Sequence, residues 1–227
     1  MKSPVALTPQ ELRNLLMVTR EQDHRAYVVF LLTVCHGLRV TEATSLRRKD
    51  FTLNGSTFYL TVQRLKGSEK TTQRVLSHAD DLFDEHGVIT QYLADLRPMD
   101  YLFADNGQKL SRWQVTTLVK KFGARAGVPQ HKQFIHALKH TAGVFMRQAG
   151  CRIEEIQVAL GHKNVNSSMA YLRISTDEAD DARADAFAMA SGRTPPSIRE
   201  SADATGKAAA SVASQHQSAI AVSGAVQ

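Results

Sequence analysis

The segment Ala26–Cys35 constrains the fold of this chain more than any other, because its ten residues are nearly all apolar. A helix that crosses a bilayer needs about 20 apolar residues, so this segment is too short to span a membrane. A helix that is apolar on every side is instead buried by the elements packed around it. Asp23 precedes the segment and Gly37 follows it, and these residue types begin and end helices. The sequence therefore predicts a helix at the centre of a globular domain.

Helical periodicity and end signals predict further helices on both sides of this segment. Thr8 and Glu11 form a capping box, and Pro9 occupies the first helical position ahead of an apolar pattern. The other predicted helices are Val40–Leu46, Leu82–Leu96 with a break at Gly87, Ser111–Ala126 with Ser111 and Gln114 as caps, Phe134–Ala149, Ile153–Leu160, Val165–Leu172 and Asp177–Ala190.

A β-sheet pattern interrupts these helices. Phe51–Leu53 and Thr57–Gln63 are separated by the turn signal Asn54-Gly55, which predicts a hairpin. Gln73–Leu76 follows a polar loop and supplies a third strand. The predicted fold class is α+β, mostly helical with a small three-stranded antiparallel sheet.

The charge is unevenly distributed along the chain. Residues 1–175 contain 24 Lys and Arg against 15 Asp and Glu, a net charge of +9, whereas residues 176–227 contain four against seven, a net of −3. A basic body attracts polyanions, of which nucleic acid is the most common, although ordinary solubility accounts for the same excess. From residue 191 onward Ala, Ser, Gly, Gln and Thr dominate, which predicts a disordered tail.

Several classes of protein and site are excluded by what the sequence lacks. Its two cysteines, Cys35 and Cys151, cannot form a disulfide framework, and neither lies in a zinc-ligand pattern. The sequence has no GxxxxGK[ST] phosphate loop, no HExxH helix, no GxSxG nucleophile elbow and no carboxylate cluster for magnesium. With no signal-peptide pattern either, we expect a protein of a reducing compartment.

The candidate functional residues are cationic and imidazole side chains distributed along the chain and followed by a tyrosine. His136 and Lys139 lie three positions apart on a predicted helix, so their side chains share neighbouring faces. His162 follows the helix stop at Gly161, and Tyr171 comes nine residues later. Taken singly, each of these residues is compatible with an ordinary surface or packing role. The further candidates are Arg39 directly after the buried helix, Glu42, Lys66 and His140.

Together these residues fall into short motifs whose order and spacing resemble the active-site motifs of tyrosine recombinases, the phage-integrase family. The resemblance extends over roughly residues 8–175 and is most specific at Ile153–His162 with Tyr171 beyond it. The motifs are Gly37-Leu38-Arg39-Val40-Thr41-Glu42, Lys66-Gly67, His136-Ala137-Leu138-Lys139-His140-Thr141, Leu160-Gly161-His162 and Tyr171.

The resemblance implies a role for each residue in cleaving and rejoining DNA strands. Tyr171 would attack a DNA phosphate, leaving a 3′-phosphotyrosine and a free 5′-hydroxyl. Arg39 and His162 would bind the phosphate oxygens. Lys66 would protonate the departing 5′-oxygen, and His136 would assist proton transfer at the tyrosine. Phosphoryl transfer requires positive charge around a developing anion, and the covalent intermediate conserves bond energy, so neither a metal nor a nucleotide cofactor is implied.

Lys139 departs from the family pattern, which has a second arginine at this position. Lysine keeps the charge but loses the forked hydrogen bond of a guanidinium, so slower catalysis is expected. The alternative interpretation is a recombinase-fold DNA-binding protein whose catalysis is impaired by Lys139. Glu42 would support the arginine motif structurally. Lys66 is preferred to Lys70 as the general acid, because Gly67 follows it as in the family pattern.

The resemblance also implies partners and a domain organisation. Residues 1–175 would form the catalytic domain, without the N-terminal core-binding domain of larger members, and residues 176–190 a helix that docks onto a neighbouring subunit. The expected partners are double-stranded DNA recombination sites, further copies of the chain in a tetramer and accessory DNA-bending proteins, in the cytoplasm at the nucleoid and away from membranes. A distant alternative with the same nucleophile is a type IB topoisomerase, which relaxes DNA without a specific site.

Overall fold

The computed structural model describes residues 5–65 and 70–162, which form seven α-helices and two small antiparallel sheets. The helices are α1 (Pro9–Gln22), α2 (His24–Cys35), α3 (Val40–Ser45), α4 (Glu85–Tyr92), α5 (Arg112–Arg125), α6 (Ile135–Gln148) and α7 (Ile153–Leu160). The strands are β1 (Phe51–Asn54), β2 (Thr57–Val62), β3 (Thr71–Arg74), β4 (Ala104–Asp105) and β5 (Gln108–Lys109). Lys66, Tyr171, the helices predicted at 165–172 and 177–190 and the predicted tail lie outside the described residues.

Helix α2 is the buried centre of the fold, as its apolar sequence predicts. Every residue from Ala26 to Val34 is buried, and the helix contacts α1, α3, α4 and α6. Burying one such large side chain contributes about 1.5–3 kcal/mol, so this helix supplies much of the stability of the core. The Asp23 carboxylate caps it by accepting a hydrogen bond of 2.9 Å from the N–H of Ala26. Across residues 5–65 and 70–162 no helix has the length and apolar character to cross a membrane.

The predicted helix caps are confirmed. The Thr8 hydroxyl accepts a hydrogen bond from the N–H of Glu11 at 3.2 Å, and the Glu11 carboxylate accepts one from the N–H of Thr8 at 2.7 Å. Ser111 and Gln114 form the same reciprocal pair at the start of α5. Helices α6 and α7 end within one residue of the predicted ends, at Gln148 and Leu160.

The three-stranded antiparallel sheet has the order β1-β2-β3, which confirms the predicted fold class. Its details differ from the prediction by one or two residues. Asn54 pairs with Thr57, so the two-residue loop is Gly55-Ser56 rather than Asn54-Gly55. The third strand begins at Thr71 instead of Gln73, because its pairing with β2 continues back to Val62.

Two sequence expectations were wrong in this part of the fold. Gly87 does not break its helix, because the Asp84 carboxylate caps α4 by accepting a hydrogen bond of 3.2 Å from the N–H of Gly87. A glycine in a helix costs about 1 kcal/mol, which one cap of this kind offsets. The helix is also shorter than the predicted Leu82–Leu96, and the small hairpin β4-β5 that follows it was not predicted.

Candidate active site

The arginine motif lies where α2 ends and α3 begins. Gly37 has a φ of 57°, which turns the chain so that Arg39 becomes the N-cap of α3. The Glu42 carboxylate accepts a hydrogen bond from the backbone N–H of Arg39 at 2.8 Å and another from its guanidinium at 2.7 Å. The Arg39 side chain keeps 19% of its area exposed, whereas that of Glu42 has none. Glu42 therefore fixes the position of Arg39, while part of the Arg39 side chain remains exposed to solvent.

Glu42 is an ionised carboxylate inside the protein. Burial raises the pKa of Glu42. Hydrogen bonds from the backbone and side chain of Arg39 and from the N–H of Leu65, together with the Arg64 charge, lower it by more, so the net pKa is below the usual value. A buried carboxylate is stable only when its lone pairs are occupied in this way. The expectation that Glu42 supports the arginine motif agrees with these contacts.

Helix α6 brings the His136 motif beside the arginine motif. The rings of His136 and His140 meet edge to face, with centroids 4.6 Å apart. His136 is exposed and His140 is half-buried. Burial lowers the pKa of His140, and the Lys139 charge lowers it further.

Lys139 is almost completely buried, with 1% of its area exposed. Its ammonium donates hydrogen bonds to the carbonyl oxygens of Gly37 at 2.5 Å and Leu160 at 2.6 Å. Burial lowers its pKa to about 7, and the charges of Arg39 and Arg64 contribute while Glu42 opposes them. In this structure the ammonium therefore joins the end of α2 to the end of α7. Its expected role in catalysis, at the position where the family has a second arginine, stays a prediction.

His162 lies directly after α7, where Gly161 has a φ of 60° and ends the helix. Its backbone N–H donates to the carbonyl of Gln157 at 3.0 Å, which fixes the turn. The pKa of the His162 imidazole is lowered to about 4. Burial is the largest cause, and the positive charges of Lys139, Arg39, His136 and His140 lower it as well. At neutral pH the imidazole is therefore neutral and able to donate a hydrogen bond without adding charge.

Arg64 belongs to this site and was missed by the sequence reasoning. It is 3% exposed, and its guanidinium hydrogen-bonds Glu42 and three backbone carbonyls. Burial lowers its pKa, with Glu42 opposing that effect. The alternation of side chains along β2 could have identified Arg64, because Leu60, Val62 and Arg64 occupy successive inward-facing positions. A charged residue on an inward position requires a buried partner.

The structure thus brings Arg39, His136, Lys139 and His162 together from three separate segments, which are the start of α3, helix α6 and the residue after the end of α7. Lys66 and Tyr171, which complete the predicted set, lie outside the described residues. Lys70 is exposed, and the choice between it and Lys66 as general acid stays a prediction.

Comparison with known proteins identifies the family. The sequence profile of the family described as the phage integrase family matches residues 6–178 of this chain. The chain belongs to the phage integrase family. Its relatives include the tyrosine recombinase XerA of Pyrococcus furiosus, 30% identical over 176 residues that cover 76% of this chain and 58% of that protein. The type 1 fimbriae regulatory protein FimE of Escherichia coli is 28% identical over 154 residues, covering 65% of this chain and 73% of that protein. The chain spans about three-fifths of the length of the XerA relatives.

Solved structures of integrase-family proteins share the fold. The XerH site-specific recombinase bound to its difH substrate has a TM-score of 0.68 at 23% identity, covering 81% of this chain and 55% of that one. The catalytic domain of bacteriophage HP1 integrase has a TM-score of 0.55 at 18% identity, covering 78% of this chain and 92% of that one. These likenesses confirm the fold of a tyrosine-recombinase catalytic domain.

Proposed function

We propose that this protein is a site-specific DNA recombinase that cleaves and rejoins DNA through a 3′-phosphotyrosine on Tyr171. The observation that carries the proposal is the convergence of Arg39, His136, Lys139 and His162 on one site. Each comes from a motif of the family to which the chain belongs. A site with this excess of hydrogen-bond donors and positive charge suits a DNA phosphate.

The reaction follows from the chemistry of these groups. The Tyr171 oxygen attacks the phosphorus as His136 accepts the phenol proton, and the bond between phosphorus and the 5′-oxygen breaks. Lys66 gives its proton to that oxygen, which leaves as a 5′-hydroxyl. Attack by the 5′-hydroxyl of another strand reverses these steps and releases the tyrosine. No bond energy is lost, so the cycle consumes no nucleotide.

Arg39 and His162 are suited to stabilise the charge that develops on the phosphate. A guanidinium presents two parallel N–H donors to phosphate oxygens, and Arg39 is already held by Glu42 in the free protein. The neutral His162 imidazole donates a hydrogen bond. Groups fixed in place before the reaction lower its barrier more than groups that must reorganise.

The proposed partners are duplex DNA and further copies of this chain. The solved XerH structure holds its difH DNA substrate, and residues 1–175 of this chain carry a net charge of +9. Recombination joins strands from two sites, which requires one nucleophile for each strand and therefore a tetramer. Accessory DNA-bending proteins and location at the nucleoid belong to the same proposal.

Covalent trapping on DNA tests the proposal. The protein is incubated in EDTA with a nicked suicide duplex that carries the DNA flanking its gene, and the products are separated on a denaturing gel. We expect a shifted protein–DNA band with the wild type and none with Tyr171→Phe. Binding of the duplex by both proteins without a covalent band would contradict strand cleavage. A band that appears only with added metal would contradict the metal-independent mechanism.

A second candidate function is DNA binding with impaired catalysis. It is favoured by the Lys139 ammonium, which is directed at the carbonyls of Gly37 and Leu160. Lys139→Arg discriminates between the two, because an arginine restores the forked donor that the family has at this position. A large gain in covalent product from Lys139→Arg would show that Lys139 impairs the site. If the wild type is active and Lys139→Arg forms no more covalent product, the site is adapted to lysine.

A further inference from the structure

Arg64 follows β2, two residues beyond its last paired position, and its side chain turns inward beneath the site. The stem of this side chain lies against Gly161, where a Cβ atom would be 2.6 Å from both Cδ and Nε of Arg64. The glycine at the end of α7 is thus in close contact with Arg64. A bulky residue in place of Gly161 would displace the side chain.

The Arg64 guanidinium binds five acceptors that come from four segments of the chain. They are the carbonyl oxygens of His36 at 3.1 Å, Gly37 at 3.4 Å and Ala159 at 2.9 Å, the Glu42 carboxylate at 3.2 Å and the Thr71 hydroxyl at 2.9 Å. Four of the five adjoin predicted site residues along the chain or in space. Glu42 holds Arg39, the Gly37 carbonyl also binds Lys139, and Ala159 lies three residues before His162.

We propose that Arg64 is a positioning residue of the active site, which holds the Arg39 motif and the His162 motif in their mutual geometry. The inference rests on the proposed function. A guanidinium suits this task because its donors lie in one plane and reach several acceptors at fixed angles. Lysine has a single nitrogen at the end of a flexible stem and cannot span the carboxylate and the carbonyls together. Arg64 makes its contacts with protein groups and is not itself a phosphate ligand in this arrangement.

The test compares Arg64→Lys with Arg74→Lys, a matched substitution at an exposed position of β3. Covalent trapping is measured in single turnover on two suicide duplexes, one with the normal scissile phosphate and one with an uncharged methylphosphonate. A positioning error of about 1 Å costs roughly 100-fold in rate, so we expect Arg64→Lys to be about 10- to 100-fold slower on the phosphate. The loss should be much smaller on the methylphosphonate, whose transition state carries one negative charge fewer and therefore needs Arg39 less. Arg74→Lys should match the wild type on both.

Two trapping results would overturn the proposal. Wild-type rates for Arg64→Lys would show that the five contacts do not position the site. Equal losses on both substrates, with a lower melting temperature, would show a role in stability alone.

Amide hydrogen exchange provides a readout that does not depend on activity. The N–H groups of Leu65 and His162 donate to Glu42 and Gln157 on either side of Arg64. In Arg64→Lys they should exchange faster, with the amides of α1 unchanged, and unchanged exchange at Leu65 and His162 would overturn the proposal. If the wild type gives no covalent band, the proposed function fails, while this measurement still decides whether Arg64 holds the two motifs.

Discussion

Among single residues, Gly37 and Gly161 decide how closely the segments of the site approach one another. Both have a φ near 60°, a conformation that is costly for residues with a side chain. A Cβ atom on Gly37 would overlap with Leu160, and one on Gly161 would overlap with the stem of Arg64. The missing side chains therefore let the end of α7 contact both the end of α2 and the residue that follows β2.

Gly161→Ala should destabilise the protein more than Gly55→Ala. Both positions have a φ of 60°, so the backbone cost is equal, but a Cβ atom on Gly55 would have no neighbour within 4 Å. Overpacking against Arg64 should lower the free energy of unfolding by about 1–3 kcal/mol beyond that common cost. Urea denaturation of the two variants measures the difference. Equal losses would mean that Arg64 moves aside freely.

Lys139 should make the stability of the protein depend on pH. Its pKa is about 7 in the folded protein and about 10.4 in an unfolded chain. Between these values the unfolded chain binds more protons, so the free energy of unfolding rises with pH, by at most about 1.4 kcal/mol per pH unit. Lys139→Met lacks this contribution and should give a flatter dependence in urea denaturation. Parallel curves for the two proteins would show that the buried ammonium stays charged throughout.

Among the secondary-structure elements, α7 receives hydrogen bonds from several other elements at its C-terminal end. It has eight residues, of which only Ile156 and Leu160 are buried. The last carbonyls of a helix lack partners within it, and here other elements supply them. The Ala159 carbonyl accepts from Arg64 and Gln73, and the Leu160 carbonyl accepts from Lys139. These hydrogen bonds fix the end of α7 that precedes His162, in addition to the packing of Ile156 and Leu160 against Ala142 of α6.

Gln73→Met should loosen the end of α7 without unfolding the sheet. The Gln73 amide donates to the Ala159 carbonyl at 2.9 Å, and its oxygen lies 2.9 Å from Nδ1 of His36. We expect faster amide hydrogen exchange at residues 157–162 and unchanged exchange in β2. Thr72→Val, an exposed position on the same strand, is the matched control. If both variants exchange alike at residues 157–162, the end of α7 does not depend on Gln73.

For the molecule as a whole, the excess of positive charge in and around the site determines which ligands it attracts. Arg39, Arg64 and Lys139 surround the single carboxylate of Glu42, so the site keeps an excess of positive charge in a partly buried place. Charges in such a place are screened less by salt than charges on the surface. The site and the basic body therefore attract the same polyanion.

The affinity for DNA should fall steeply with salt concentration if these positive charges provide most of the binding free energy. A protein that neutralises about six phosphates loses roughly 10³-fold in affinity between low and physiological salt. Fluorescence anisotropy with a labelled duplex at increasing salt measures the slope, and Tyr171→Phe prevents cleavage during the titration. An affinity that does not change with salt would contradict phosphate contacts as the main source of binding.

Local sequence signals were sufficient for most of the elements of this fold. The apolar run of α2, the capping boxes at Thr8 and Ser111 and the strand alternation each depend on residues a few positions apart, so they can be recognised in the chain alone. The motif order likewise predicted Arg39, His136, Lys139 and His162 as site residues, and the fold places them close to one another, while their roles stay predictions. Lys66 and Tyr171 stay predictions.

The partners of the buried charges could not be predicted in this way. Lys139 binds carbonyls 102 and 21 residues away, and Arg64 reaches Ala159 across 95 residues. Which carbonyl meets which cation depends on how the helix ends pack, because the strength of a buried hydrogen bond depends on distance and solvent exclusion rather than on sequence spacing. Local patterns therefore specify the helices, the sheet and the motif residues, whereas the packing of α2, β2, α6 and α7 against one another sets the contacts and charge states within the site.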